Sequence, residues 1–299
     1  MHNNTISRPT NIILNIFFAL YSFACIFPIL LVISISFSDE MTLLKSGYSL
    51  IPKVFSAEAY RYILKDSAGI LNAYGVSIFV SVTGTVLSML VTALFAYPLS
   101  RSSLKYRNQL SFFVYFTMLF SGGMVPNYIL ITQYLCMKNN ILVLILPLLL
   151  SASSVLILRT FFRTSIPDSI IESAKIDGAG EIRTFYSIVL PLALPGMATI
   201  GLFSMIAYWN DFNQCLMYVT NAKLYNLQFI LYKMQMNLQF LSSLSHSRGG
   251  AAASEILHKL PTESARMAVA ILAIGPIILT YPFFQRFFVK GLTIGAVKG

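Results

Sequence analysis

Charge is scarce in this sequence: Asp, Glu, Lys and Arg make up 11% of 299 residues. Soluble globular chains carry about 25%, so a soluble domain or pair of domains is excluded. Cysteine is also rare, and Cys25, Cys136 and Cys215 stand far apart. That spacing gives neither a disulfide framework nor a zinc site. The three histidines, His2, His246 and His258, are isolated, and no Ser-His-Asp set stands near them. A membrane-embedded enzyme would need clustered His, Asp or Glu, which the chain lacks. It also lacks a G-x-x-x-x-G-K-[ST] phosphate loop, because neither Gly122-Gly123 nor Gly249-Gly250 is followed by Lys-Ser or Lys-Thr. Alternating strands of about ten residues, the pattern of a membrane barrel, are missing too. With 56% hydrophobic residues and 23 phenylalanines, the chain is not a disordered one.

Long apolar runs are what the chain has in quantity. Stretches free of Asp, Glu, Lys and Arg cover 9–38, 67–100, 108–137, 139–158, 184–210 and 267–285. A spanning helix needs about 20 mostly apolar residues, and a helix satisfies its own backbone in lipid. The runs predict an all-α membrane protein of six spans, near 11–37, 71–98, 109–133, 141–163, 192–218 and 265–288. The first run is too long for the apolar core of a signal peptide and has no small-residue cleavage site, so it is read as a retained helix. The net charge of +10 lies between the apolar runs, where anionic headgroups suit it better than nucleic acid does. Both termini inside is the orientation favoured by the acid-free basic loop Arg101–Lys105–Arg107 and by the basic tail after Arg286. The whole chain, 1–299, then reads as a single transmembrane domain with its core at 71–288, outer segments at 38–70 and 219–262, and one long inner loop at 164–190. No internal repeat is visible, which counts against inverted-repeat secondary transporters.

The inner loop carries the most information. Pro167 ends the preceding helix, and Ser165 or Asp168 is placed to cap a new one. Ile170, Ile171, Ala174 and Ile176 give that short helix an apolar side, Gly178 and Gly180 break it, and Ile182, Phe185, Tyr186 and Val189 mark a second. An amphipathic linker resting on lipid fits this pattern as well as a docking element does.

The spacing Glu172-Ser173-Ala174, three residues, Gly178, nine residues, Ile188-Val189-Leu190-Pro191 resembles the EAA signature of ABC importer permeases, with Ser173 where the family usually has Ala. Trp209-Asn210-Asp211-Phe212, the segment PTESARMA and the ending QRFFVKGLTIGAVKG look like the carbohydrate-uptake (maltose-permease-like) branch, in its oligosaccharide, lipoprotein-dependent Gram-positive form. The resemblance runs from about residue 70 to the end. It implies the type I importer permease fold, both termini cytoplasmic, and a bacterial plasma-membrane location. It also implies a second homologous permease subunit, an extracellular solute-binding protein and an ABC ATPase dimer. ATP and magnesium would be held by that ATPase, with no cofactor or metal in this chain. Glu172, Ser173, Ala174, Asp177 and Gly178 would then couple the permease to the ATPase, the small residues permitting close approach and the acids pairing with basic groups.

Polar groups inside the membrane call for a reason. Asp211 is the only charge between Arg183 and Lys223. It lies about 24 Å along its helix from Pro195, among Tyr208, Trp209, Asn210, Asn213 and Gln214. Amides, a carboxylate and aromatic faces suit sugar recognition, so Trp209, Asn210, Asp211 and Asn213 are candidate pathway residues. Asn127 and Tyr128, after the helix-breaking Gly122-Gly123, are a second set. Both sets could instead satisfy each other or a neighbouring helix. A non-sugar ABC permease for a peptide or polyamine stays open, as does an ion-coupled secondary transporter with Asp211 as its one intramembrane acid.

Overall fold

The computed structural model describes residues 8–247 and 262–296. His2, Gly249-Gly250, His258 and Lys298 lie outside them. All regular structure in the described residues is helical, with one isolated antiparallel bridge, Ser38 to Phe55. The chain divides into two compact units, Met1–Ser67 with Lys233–Ile274, and Ala68–Tyr232 with Gly275–Gly299.

The first unit begins with α1 (Arg8–Ser36), long and apolar enough to cross a bilayer. Its residues from Pro9 to Leu30 are exposed on every side. A helix that is apolar all round belongs in lipid or against another chain. Two short helices follow, α2 (Glu40–Ser46) and α3 (Glu58–Ile63). Phe37 stacks on Phe55 and Tyr60 at 5.4 and 4.8 Å, and Ser36 Oγ lies 3.0 Å from Tyr60 Oη.

The second unit starts at the beginning of α4 (Ser67–Ser100), with Ala68, and α4 is the other helix that passes as a span by itself among the described residues. The sequence reading placed one helix in each of the next three apolar runs, and the structure breaks each of them. α5 (Arg107–Leu119) meets α6 (Met124–Ile129) and its π-helical continuation Leu130–Tyr134 at 108°. Gly123, at φ +86°, makes that corner; a side chain there would be strained. Pro126, in the first turn of α6, has no helical hydrogen bond to lose. α7 (Leu142–Ile145), extended by a 3-10 turn over Leu146–Leu148, meets α8 (Ala152–Ser165) at 52°.

The inner loop is α9 (Asp168–Ile176), then α10 (Glu181–Thr184), a π turn over Phe185–Val189 and α11 (Leu190–Leu192). This composite helix bends by 79° into α12 (Leu194–Asn210). α12 stops at Asp211, and α13 (Asn213–Tyr218) takes up the rest of that run. Among the described residues two further helices follow, α14 (Leu227–Ser247) and α15 (Thr262–Ala296), and α15 carries Pro276 and Pro282 within it. Segment 219–262, read from sequence as an outer stretch without assigned structure, thus contains the whole of α14.

Two buried clusters hold the second unit together. One joins Ala96, Tyr97 and Leu99 of α4 to Val155, Leu158 and Phe162 of α8, Ile171 of α9, Phe185, Val189 and Ile200. The other gathers Val80, Ile131, Val143, Leu144, Tyr208, Cys215, Tyr218 and Phe229. The first cluster roots the inner loop in the body of the unit.

Candidate functional site

Local chemistry explains the shape of the inner loop. Ile166 is extended (φ −116°, ψ 103°), as a residue before proline prefers. Pro167 then occupies the N-cap of α9, and no side chain caps it. The expectation that Ser165 or Asp168 caps this helix is therefore corrected. Asp168 is the first residue inside α9, and its Oδ1 accepts from Arg101 Nη1 at 3.1 Å. At the other end the Gly178 N–H bonds to the Lys175 carbonyl at 3.0 Å, and the Ala179 N–H bonds to the Ala174 carbonyl at 2.9 Å. These are the two bonds of a Schellman ending, and Gly178 sits in it at φ +79°.

The amphipathic pattern sorts the five candidate coupling residues. Ala174, 5% exposed, faces the interior beside Ile171. Glu172, Ser173, Asp177 and Gly178 are on the exposed face. A Cβ built on Gly178 meets nothing within 4 Å, so the space over that turn is open. Lys175 and Glu181 tie α9 to α10 at 2.8 Å. The Lys175 ammonium is held above its ordinary pKa by the hydrogen bond to Glu181 and by that group's charge. Together these features form a short rigid helix presenting two acids and a small turn.

The candidate pathway residues are spread out. Trp209 is 3% exposed, packed inside the unit. Asn210 and Asn213 are exposed on either side of the break, and Asp211 is half-buried. The Asp211 backbone carbonyl accepts from Asn226 Nδ2 at 2.6 Å, and its Oδ1 lies 3.5 Å from the Gln214 N–H. Asn127 is exposed, and Tyr128 stacks on Tyr218 with centroids 5.7 Å apart.

None of these six residues lines a serine-rich cavity of the second unit. That cavity, about 610 Å³, is walled by Ser88 of α4, by Leu148, Ser151 and Ser154 around the α7–α8 bend, and by Phe203 and Ser204 of α12. Ser88 Oγ and Ser204 Oγ are 3.2 Å apart. Ser88 stands about 18 Å from the Ser100 end of α4 and Ser204 about 15 Å from the start of α12, so the opening lies along the middle of both helices. Its lining carries hydroxyls, apolar groups and one aromatic ring, with no charge among the described residues.

Sequence reasoning missed this cavity, although a signal existed. Ser77, Ser81, Thr85, Ser88 and Thr92 recur at helical spacing on one buried face of α4, and Ser151, Ser153 and Ser154 cluster at the break before α8. The contact of Asn226 with Asp211 had no such signal.

Residues 1–294 match the family of binding-protein-dependent transport system inner membrane components. The chain belongs to this family. The permease is 38% identical over 283 residues to the polygalacturonan/rhamnogalacturonan transport system permease protein YtcP of Bacillus subtilis, covering 95% of this chain and 96% of the relative. It is 36% identical over 299 residues to Protein LplC of the same organism, covering 100% and 98%. Among solved structures it resembles a bacterial ABC transporter involved in the import of the acidic polysaccharide alginate, with a TM-score of 0.77 and 25% identity, covering 96% of this chain and all of that one. The type I permease fold read from the sequence is thereby established; among the described residues two helices are long and apolar enough to span alone, and five spans are reached if each bent pair counts as one.

Proposed function

We propose that this permease is one membrane subunit of an ABC importer for an oligosaccharide, driven by ATP hydrolysis in a separate ATPase. The observation that carries the reading is α9: an apolar side rooted in the core through Ile171 and Ala174, with Glu172, Ser173, Asp177 and Gly178 free on the other side. That is the arrangement a soluble partner needs in order to grip and move the membrane helices. In the working complex a second permease, two ATPase copies and an extracellular binding protein complete the set. Six spans with both ends on the inner side fit the basic loop at Arg101–Arg107. They require that each bent pair act as one span and that α15 be the sixth.

The serine-lined cavity gives the chain's contribution to the pathway. Hydroxyl groups match sugar hydroxyls, and Phe203 offers an apolar surface to a sugar ring face. Two relatives carry polygalacturonan/rhamnogalacturonan and arabinooligosaccharides in their names, which supports an oligosaccharide over a peptide or polyamine. Asn210, Asp211 and Asn213 lie farther out, at the end of α12, where sugar would arrive. Uptake of labelled oligosaccharides by cells with and without this chain tests the reading. Loss of uptake of at least one plant-cell-wall or uronate oligosaccharide is expected. Unchanged uptake of every sugar, with loss of a peptide or polyamine, contradicts it.

A further inference from the structure

We propose that Arg101 is the positioning residue through which α4 follows movement of α9; this rests on the coupling role given above to the exposed face of α9. Arg101 directly follows the last turn of α4, and its N–H bonds to the Pro98 carbonyl at 3.1 Å. Its side chain is only 11% exposed, while that of Asp168 is 67% exposed. The guanidinium lies 5.0 Å over the Tyr97 ring and reaches Asp168, 67 residues away, through Nη1. The same turn of α4 touches the far side of the loop, where Tyr97 Oη lies 3.5 Å from Glu181 Oε2. Glu181 in turn holds Lys175 of α9. The end of α4 is thus fastened to the helices on both flanks of the Gly178 turn.

Two features separate this from ordinary packing. Nε and Nη2 of Arg101 are buried with no acceptor among the described residues. Buried charged donors are normally satisfied, and a guanidinium kept with two of them unmet calls for an explanation other than stability. Beside them is a cavity of about 110 Å³ whose wall includes Asp168, Glu172 and Glu181. The guanidinium therefore has one acceptor engaged and two more within the same small space, so it can change acceptor as α9 shifts without leaving Tyr97. Because Asp168 is two-thirds exposed and Asp168→Asn removes its charge while keeping an amide oxygen that can accept from Arg101, that variant should leave the fold intact. α4 carries the motion onward to Ser88 in the wall of the serine-lined cavity.

The test uses the whole complex, purified through a tag on this chain and placed in lipid nanodiscs. Cys25 and Cys136, both exposed, are replaced by Ser, and Ser204→Cys reports on the cavity through its labelling rate with a charged maleimide. ATP with vanadate should change that rate about tenfold or more in the parent. In Arg101→Ala and in Asp168→Asn the change should fall below about twofold while the ATPase stays bound and hydrolyses ATP, and Arg101→Lys should recover part of it. If Arg101→Ala does not accumulate, Asp168→Asn carries the decision. A full response in Asp168→Asn overturns the proposal. Gly178→Asp, run alongside, separates the two failures. If it abolishes the response and Asp168→Asn does not, only the Arg101 link is wrong. If Gly178→Asp responds like the parent, or the parent itself shows no ATP dependence, the coupling reading itself fails.

Discussion

A methyl group added at Gly84 would lie 2.6–2.7 Å from the ring of Tyr208. That ring has nowhere to go, being buried with its hydroxyl donating to the Ile145 carbonyl at 2.8 Å. Gly84→Ala should therefore force α4 and α12 apart and cost about 1–3 kcal/mol, seen as a lower melting temperature of the detergent-solubilised protein. In the first unit, Glu40 is a second residue with an outsized role. It is 7% exposed, and its two oxygens accept from Thr262 Oγ1, Glu263 N, Ser264 N and Ser264 Oγ at 2.8–3.0 Å. It thereby satisfies the amides at the start of α15, where a negative charge also suits the helix dipole. Glu40→Gln turns one acceptor oxygen into a donor facing the Ser264 N–H. The loss should be about 1–3 kcal/mol, measurable in the same melting experiment, with Glu58→Gln as an unaffected exposed control. Neither residue could be picked out by sequence. The partners of Glu40 lie 222 residues or more away, and a glycine inside an apolar run does not announce which ring will lie on it.

Elements were more legible than contacts, because their signals are local. Gly178 at the end of α9, Pro167 at its start and Gly122-Gly123 at a break all act through backbone preferences that a sequence displays, and the structure has a boundary at each place. The cap at Asp168 was misread for the opposite reason. The side chain has a stronger partner in Arg101, brought in by tertiary packing. The 52° bend was hidden, since Pro147 and Ser151 fall inside a run that is apolar on average, whereas the 79° bend lies where the second loop helix was expected to give way to the span near 192. Two predictions belong at this scale. Aspartate tolerates the left-handed conformation better than most L residues, so Gly178→Asp tests surface bulk and charge on the loop more than backbone strain. It should leave ATP hydrolysis running and lower uptake about tenfold or more in reconstituted vesicles. Ser204→Phe should fill part of the serine-lined cavity and lower uptake by a similar factor while the complex still assembles.

For the molecule as a whole, composition settled the solvent before any element was assigned: a chain with 11% charged residues and +10 net charge is built for lipid. The EAA-like spacing then narrowed the class, and the match over residues 1–294 placed the chain in its family. What lay beyond a single sequence was the division into two units and the hydroxyl-lined opening, both products of packing between distant helices. The bare surface of α1 and the free face of α9 share a consequence, since each is a surface that another component must meet if this chain works as one part of a larger assembly. The most direct test of that claim is affinity purification of the tagged chain from its native membrane in mild detergent, with mass spectrometry of what remains bound. The account predicts an ABC ATPase and a second EAA-bearing permease in the same fraction, the ATPase being lost or weakened when Glu172 and Asp177 are both replaced by lysine. Recovery of the chain alone or as a homo-oligomer, with no ATPase under conditions that preserve known importers, would contradict it.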